Sequence, residues 1–316
     1  MPSGMARNSA LQTRAPRDHA GMTMADAPAP APTPIEGIDH AIIGVADLEA
    51  AQAIYAKLGF TISPRGRHMG RGTANYCIMF EHDYLELRGI VDPTAFTDGL
   101  DVFLRDGEGL AGLVFSTPDS QACSAALAAA GIAAGEPYDV GRLIELPDEE
   151  VSLRFKLMLL PDETAPGVHF VVGQHLTLDL LRRADWLSHA NGARRVREVT
   201  VLMDDIAGVS AAYGRLFGEA AVSGEERKGD VAVVTPNGTL RFVTPKVFPK
   251  RHYDVKPDKG WRLPRLAALT LDVARPKSTA LYLSDQKIAF EQEPDGTVLV
   301  PAEAACGVLL EFAGDD

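Results

Sequence analysis

The pattern of apolar and polar positions predicts one compact unit near the start of the folded chain. An apolar run at Ile38–Val45 is followed by Asp47, a favoured helix N-cap residue, and by an apolar stripe at helical spacing that ends before Gly59. The stripe consists of Leu48, Ala51, Tyr55 and Leu58. Two later apolar runs, Thr73–Phe80 and Tyr84–Ile90, are typical of strands. We interpret the segment as a β-α-β-β-β unit.

The same pattern returns 158 residues further along the chain, where Asp205 corresponds to Asp47. In this copy Val196–Met203 is the apolar run, Asp205 is the expected cap and Gly218 is the expected end of the helix. The apolar stripe consists of Ile206, Val209, Tyr213 and Leu216. Agreement of strand, cap, stripe and end in one register indicates an internal repeat.

Two fainter copies complete a set of four. One has the apolar run Leu110–Thr117, a helix from Asp119 to about Ala130, and strand-like runs at Arg142–Leu146, Val151–Leu160 and Val168–Gln174. The other has the run Leu266–Val273, a helix near Pro276–Leu283, and strand-like runs at Lys287–Phe290, Thr297–Val300 and Val308–Phe312. We predict an α+β fold in which the four units pair, the first with the second and the third with the fourth.

The repeat also suggests a division of the chain. Residues 1–35 are rich in alanine and proline and are expected to be a disordered extension, with Met22 or Met24 as the alternative start. We expect a first domain at 36–182 that carries the candidate site and a linker at 183–193. Residues 194–316 are expected to form a second, degenerate domain.

Composition narrows the class of protein. The formal charge is −12, from 43 acidic and 31 basic residues, so nucleic acid and anionic membranes are not expected as partners. The three cysteines form no CxxC pair and indicate neither a disulfide framework nor a zinc knuckle. Because there is no secretory signal and no apolar run of about 20 residues, a cytoplasmic protein is expected.

The chain resembles the vicinal oxygen chelate superfamily, and specifically its glyoxalase-like branch. The residues that carry the resemblance are Ile38-Asp39-His40, Asp47-Leu48, Tyr55, Leu58-Gly59-Phe60, Gly72-Thr73-Ala74-Asn75 and Tyr84-Leu85-Glu86-Leu87. The resemblance implies paired units that curl into cup-shaped half-barrels. It also implies a site inside the cup for a divalent metal, either Zn, Ni, Mn, Fe or Mg, and for a small-molecule substrate.

The resemblance implies a set of metal ligands on the first and last strands of each unit. His40 and Glu86 match the first pair, whereas Gly112 stands where the second unit would normally offer a histidine. The last position falls at Gln174 or His175, which face opposite sides of a regular strand. We expect a metal site of His40, Glu86 and His175, with a metal-free pair as the alternative. Strand parity would place Tyr84 and Arg88 on the face of Glu86.

A basic, glycine-rich loop at 65–72 lies beside the expected mouth of the cup. Its arginines are expected to bind a substrate carboxylate or phosphate. Two residues of the next strand and Gln174 are also expected to contact the substrate. These candidate substrate-binding residues are Arg65, Arg67, Arg71, Asn75, Tyr76 and Gln174. Glu86 or His68 is expected to move the proton. In the second half, Glu198 and Arg241 fall at the places of His40 and Glu86, which predicts an internal ion pair there.

Two classes of function follow from these residues. The first is a metal-dependent lyase or isomerase that acts through an enolate-type intermediate on a small oxygen-bearing substrate. The second is a non-catalytic protein that binds a small aromatic or antibiotic-like ligand. A ring-cleaving dioxygenase is the weaker enzyme alternative, because Glu198, Arg241 and Ala268 replace what its second-half site would need. The oligomeric state, monomer or homodimer, stays open.

Overall fold

The computed structural model describes residues 33–146, 148–258 and 260–314. The predicted disordered extension lies outside the described residues up to residue 32. Thr33 and Ile35, at its end, are buried, and the Thr33 hydroxyl donates a hydrogen bond to the carbonyl of Leu216 at 2.7 Å. Thr33 and Ile35 are therefore part of the folded chain.

The first half of the chain forms a closed barrel of eight strands, in the order β1-β4-β3-β2-β6-β7-β8-β5. The strands are β1 (Gly37–Gly44), β2 (Gly66–His68), β3 (Thr73–Met79), β4 (Tyr84–Ile90), β5 (Gly109–Ser116), β6 (Tyr138–Glu145), β7 (Glu150–Leu159) and β8 (Phe170–His175). The helices are α1 (Leu48–Lys57), α2 (Leu100–Phe103), α3 (Ser120–Ala129) and α4 (Leu178–Leu181). Pairing of β2 with β6 joins the two units and closes the ring.

The second half repeats the arrangement but does not close. Its eight strands follow the order β10-β11-β12-β9-β13-β16-β15-β14, and this assembly is called the second sheet below. The strands are β9 (Ala193–Leu202), β10 (Val222–Glu225), β11 (Asp230–Val234), β12 (Thr239–Val243), β13 (Arg265–Val273), β14 (Glu291–Gln292), β15 (Val298–Val300) and β16 (Leu309–Ala313). The helices are α5 (Val209–Phe217), α6 (Phe248–Arg251) and α7 (Pro276–Asp285). The predicted α+β fold of four paired units is confirmed.

The repeat-unit helices form where the sequence predicts them, with one difference in how they begin. Asp47 caps α1 by accepting hydrogen bonds from the backbone N–H groups of Glu49 and Ala50, and Asp119 caps α3 in the same way. Asp205 does not cap α5 as predicted, because that helix begins at Val209 after Gly208. The Asp205 carboxylate instead accepts from Ala207 in a turn. The predicted strand at Lys287–Phe290 does not form within the described residues, and β14 follows that segment.

The two halves share one hydrophobic core. A single cluster of buried side chains contains residues of both, and Phe60 stacks on Phe312 with ring centroids 6.1 Å apart. The Tyr55 hydroxyl of α1 donates to the carbonyl of Ala305 at 3.1 Å. In the other direction, the Tyr213 hydroxyl of α5 donates to the carbonyl of Pro166 at 3.3 Å. The halves therefore support each other through equivalent helices.

A side-chain amide of the second half also holds the first strand of the barrel. Asn237, in the turn between β11 and β12, accepts a hydrogen bond from the backbone N–H of Ile38 at 2.8 Å. Its Nδ2 donates to the carbonyl of Ile38 at 2.5 Å. This pair of hydrogen bonds, called the Asn237 clamp below, satisfies the backbone N–H and carbonyl of Ile38 near the start of β1, as a neighbouring strand would. Within the described residues, no helix has the length and apolar character needed to cross a membrane.

Candidate functional site

A bulge in β1 brings two consecutive polar side chains to the barrel interior. The pairing with β5 runs from Ile38 opposite Phe115 directly to His40 opposite Val114, so Asp39 is the extra residue. Asp39 and His40 are both buried, and the Asp39 carboxylate lies 2.6 Å from Nδ1 of His40. Strict alternation would place Asp39 on the helix side, which is why the sequence pattern missed it.

The carboxylate of Glu86 is the centre of the interior hydrogen bonds. Arg88 grips it side-on, with Nε donating to Oε1 at 2.8 Å and Nη2 donating to Oε2 at 2.9 Å. Asn75 donates to Oε1 at 2.8 Å. Burial alone would raise the pKa of Glu86, but the Arg88 charge and the neighbouring imidazoles outweigh it and hold that pKa well below its usual range. Glu86 is therefore ionised at neutral pH.

Two histidines approach Glu86 from different strands. Nε2 of His40 lies 3.2 Å from Oε2 of Glu86, and Nε2 of His68 lies 3.4 Å from Oε1. The second nitrogen of each ring is also held, in His40 by Asp39 and in His68 by Thr73 Oγ1 at 2.8 Å. His68 belongs to the short strand β2, whereas the sequence predicted a loop at this position.

The pKa values of the two imidazoles are shifted in opposite directions. Burial lowers the pKa of His40, but the hydrogen bonds with Asp39 and Glu86 outweigh it, so the pKa is raised. For His68, burial lowers the pKa and the Glu86 contact only partly offsets it, while the charges of Arg88 and Arg142 lower it further. Glu86 is thus next to His40, whose shift favours the charged imidazolium, and next to His68, whose shift favours the neutral imidazole.

His175 does not join His40 and Glu86. Its Nε2 lies 2.8 Å from Oδ1 of Asp39, and its Nδ1 is buried without a hydrogen-bond partner among the described residues. Both oxygens of Glu86 are already held by Arg88. Among the described residues, no group of three or more His, Cys, Asp or Glu side chains is arranged to hold a metal ion. The side chains do not fit the predicted metal site, because the Arg88 guanidinium donates hydrogen bonds to both oxygens of the Glu86 carboxylate.

A small cleft of about 70 Å³ lies beside the His40, His68 and Glu86 side chains. Its charged and polar walls include His40, His68, Glu86, Arg71, Arg88 and Arg142, and its apolar walls include Val114, Phe155 and Leu157. At the mouth Arg71 pairs with Asp98 and its guanidinium lies 5.5 Å from the centre of the Phe96 ring. Arg88 was expected in the cup from strand parity. Arg142 was missed, because its inward position depends on the pairing of β6 with β2, which joins two different units.

Several predicted substrate-binding residues lie away from the cleft. Arg67 is half-exposed and pairs with Glu145 and Glu150, while Arg65 pairs with Glu49 and Glu145. Tyr76 donates to Glu49 at 2.7 Å beside them. These three side chains form an outer cluster of ion pairs and hydrogen bonds because successive residues of β2 and β3 point to opposite faces.

Gln174 has a structural role rather than a place in the cleft. Its Oε1 accepts hydrogen bonds from the backbone N–H and the hydroxyl of Ser120, at 3.1 and 2.9 Å. Its Nε2 donates to the carbonyl of Pro118 at 2.9 Å. The side chain therefore ties β8 to the start of α3, and His175 is the residue of this pair that reaches the Asp39 carboxylate. Asn75, the remaining predicted contact, holds Glu86 in place.

The second sheet carries the predicted ion pair. Nε of Arg241 donates to both oxygens of Glu198 at 2.9 Å, and its Nη1 donates to Asp230 at 3.0 Å. Nearby, Glu311 accepts from the Thr270 hydroxyl at 2.8 Å, and its other oxygen lies 2.8 Å from Nδ1 of His252. The predicted internal ion pair between Glu198 and Arg241 is confirmed.

A closed barrel of two β-α-β-β-β units, joined to a second such pair, defines a protein of the vicinal oxygen chelate fold. A family model described as a glyoxalase-like domain matches residues 38–217, more than half of the chain. The chain belongs to this glyoxalase-like family, as its sequence predicted.

Solved structures agree with the two-half arrangement. A hypothetical protein from Staphylococcus aureus matches with a TM-score of 0.59 at 11% identity, over 88% of this chain and 99% of the other. A variant of 4-hydroxymandelate synthase from Streptomyces coelicolor matches with a TM-score of 0.55 at 14% identity, over 89% of this chain and 93% of the other. At these identities the likeness concerns the fold alone. No curated protein matches the chain.

Proposed function

We propose that the first barrel is the active site of a glyoxalase-like isomerase or lyase that removes a proton from a carbon next to a carbonyl or carboxylate group. The observation that carries the proposal is the placement of His40 and His68 on the two oxygens of Glu86, with their pKa values shifted in opposite directions. The imidazole with the lowered pKa favours the neutral form and can act as a base, and the imidazole with the raised pKa favours the charged form and can act as an acid.

In the proposed reaction neutral His68 carries its proton on Nδ1, which donates to Thr73 Oγ1, so that Nε2 has a free lone pair. The substrate C–H bond breaks and its proton passes to this Nε2. The electron pair of that bond moves to the carbonyl oxygen and forms an enolate. Ionised Glu86, 3.4 Å from Nε2, stabilises the resulting imidazolium. In an isomerase, His40 returns a proton to carbon and is reprotonated from solvent or from His68. In a lyase, the enolate electron pair instead expels a leaving group from the adjacent carbon, and the proton on His68 passes to the leaving group or to solvent.

Solvent-exchange measurements test this proposal. The protein is incubated in D₂O with a panel of small 2-oxo, 2-hydroxy and 2-methyl acids and their thioesters, and loss of the C–H signal is followed by proton NMR. We expect exchange with at least one class of these acids. In His68→Gln and in His40→Gln, the exchange rate is expected to fall by at least about 100-fold. His82→Gln, on the exposed turn between β3 and β4, is the matched control. Absence of exchange across the panel, or unchanged exchange in His68→Gln, rejects the proposal.

Metal content tests the arrangement of the same side chains. Because Arg88 holds both oxygens of Glu86, we expect the purified protein to retain far less than one Zn, Ni, Mn, Fe or Mg per chain by plasma mass spectrometry. One metal per chain that is lost in both His40→Ala and Glu86→Ala would show instead that the side chains rearrange around a metal. No step of the proposed reaction is assigned to a metal.

A non-catalytic binding protein is the second candidate, and one observation favours it. The Glu86 carboxylate is already engaged by Arg88 and Asn75, so its charge is neutralised within the barrel. Such a protein would bind a small ligand in the cleft without exchanging its protons. The exchange measurement therefore separates the two candidates directly.

A further inference from the structure

Arg142 is a buried cation that lies beside the proposed base. It is only 3% exposed, and it stands on β6 directly opposite His68 of β2. Its Nη1 donates to Cys77 Sγ at 2.9 Å, and its guanidinium lies 5.8 Å from the centre of the Phe155 ring. Nε and Nη2 have no hydrogen-bond partner among the described residues.

The other arginines of the cleft have carboxylates. Arg88 pairs with Glu86, and Arg71 pairs with Asp98. Within the described part of the chain, Arg142 forms an ion pair with no carboxylate, and burial raises the pKa of the Cys77 thiol, which keeps that sulfur neutral. A buried charge without a counterion is costly, so a partner from outside the chain accounts for it best.

The edge of the Arg142 guanidinium that is formed by Nε and Nη2 has a counterpart in the same barrel. Arg88 grips both oxygens of Glu86 with its Nε and Nη2, which lie side by side on one edge of the guanidinium. Arg142 leaves the same two nitrogens without a partner among the described residues. This edge matches the two oxygens of a carboxylate. The geometry of Arg88 therefore shows, within this protein, which group the edge binds.

We propose that Arg142 binds a carboxylate group of the substrate, so that the protein acts on small carboxylic acids. The proposal rests on the proposed proton transfer for the role of His68. Because Arg142 and His68 are directly opposite on paired strands, a carboxylate held at Arg142 places its neighbouring carbon near the imidazole. Phe155 and Leu157 provide an apolar wall for the rest of the molecule.

Calorimetric titration with pyruvate, lactate and propionate tests this inference, with inorganic phosphate as the competing anion. We expect the wild-type protein to bind at least one carboxylate, and Arg142→Met to weaken that binding roughly 10- to 100-fold. Arg142→Lys, which keeps the charge but loses the paired edge, is expected to fall between them. Arg67→Met is the matched control, because Arg67 lies on the outer face and pairs with Glu145 and Glu150.

Thermal unfolding of the ligand-free variants adds an independent readout. If Arg142 is an uncompensated charge, Arg142→Met is expected to have a higher Tm than the wild type, whereas a purely structural arginine would lower the Tm on removal. Equal carboxylate binding by Arg142→Met and wild type would overturn the inference. So would tighter binding of phosphate than of every carboxylate, or no binding of any carboxylate.

The two proposals fail in different ways. Carboxylate binding that depends on Arg142, with no proton exchange, keeps this inference and rejects the proposed reaction. Exchange that depends on His68, with carboxylate binding unaffected by Arg142→Met, keeps the reaction and rejects the inference.

Discussion

The first barrel and the second sheet are built from the same repeat, yet they differ in how their internal charges are balanced. In the second sheet Arg241 is held by Glu198 and Asp230, and Arg251 also pairs with Asp230. In the barrel Arg88 is balanced by Glu86, but Arg142 has no carboxylate among the described residues. The sheet is open at both edges, whereas the barrel closes around its polar groups.

The difference shows that one repeated scaffold can hold its internal charges in two ways. A self-neutralised interior, as in the second sheet, leaves few polar groups to recognise a ligand. The barrel instead retains, at one cleft, a guanidinium with unpartnered nitrogens, an imidazole whose pKa is lowered and an imidazole whose pKa is raised. Unsatisfied polar groups of this kind are the ones that a bound molecule can stabilise.

Removal of the central carboxylates gives the largest expected contrast between the halves. Glu86→Gln removes a carboxylate that is only 2% exposed and leaves Arg88 with the longer Asp98 contact at 3.8 Å, so we expect it to lower the free energy of unfolding by about 3–5 kcal/mol. Glu198→Gln is expected to cost about 1 kcal/mol or less, because Glu198 is partly exposed and Arg241 retains Asp230. Urea unfolding of both variants measures the difference. Equal costs would show that the two ion pairs are equivalent.

A smaller effect is expected where the halves meet. Asp83, in the turn before β4, accepts a hydrogen bond from the backbone N–H of Val196 in β9 at 2.9 Å. Burial raises the pKa of this carboxyl to about 7, although the Val196 N–H partly opposes the shift. Because the pKa of Asp83 is higher in the folded state than in the unfolded state, the folded state holds the carboxyl proton more tightly. The resulting contribution of Asp83 to stability is present at low pH and is lost as pH rises towards 7.

The Asp83→Asn variant isolates this contribution. Between about pH 5 and about pH 8, the wild type is expected to lose roughly 2–3 kcal/mol of stability that the variant does not lose. Urea unfolding at the two pH values gives the difference, with the wild type measured in parallel. The same pH dependence in both proteins would show that Asp83 titrates normally.

The smallest expected effect tests the symmetry of the contacts between the halves. Tyr55→Phe and Tyr213→Phe each remove one hydroxyl that donates to a carbonyl of the opposite half. Both tyrosines are fully buried, so each variant is expected to cost about 1 kcal/mol, and the two costs should agree closely. A cost confined to one of the two variants would show that only one half depends on the crossing contact. Urea midpoints at a fixed slope provide the measurement.

Much of the scaffold is predictable from the sequence because it depends on local signals. The Asp47 and Asp119 caps, the helix ends at Gly59 and Gly218, and the parity that places Tyr84 and Arg88 with Glu86 all follow from residues close in the chain. The Asp205 cap is the exception. An Asx-type turn competes with helix initiation there, and α5 begins only after Gly208.

The site was less predictable, because its assembly depends on long-range pairing. The bulge that turns Asp39 inward has no marker in the sequence, and it gives His175 a partner other than a metal. Arg142 reaches His68 only because β6 pairs with β2 of the other unit. An arginine next to the apolar pair Leu143 and Ile144 was the available signal, and it requires the strand register before its direction can be assigned.

The Asn237 clamp connects the second half of the chain to the candidate site in the first barrel. The Asn237 amide fixes the backbone of Ile38. Ile38 directly precedes the bulged Asp39, and His40 follows Asp39. A change in the turn that carries Asn237 would therefore reach the imidazole through the backbone, without altering any residue that lines the cleft. For protein engineering, this turn is a remote adjustment point: libraries confined to the walls of the cleft would overlook it.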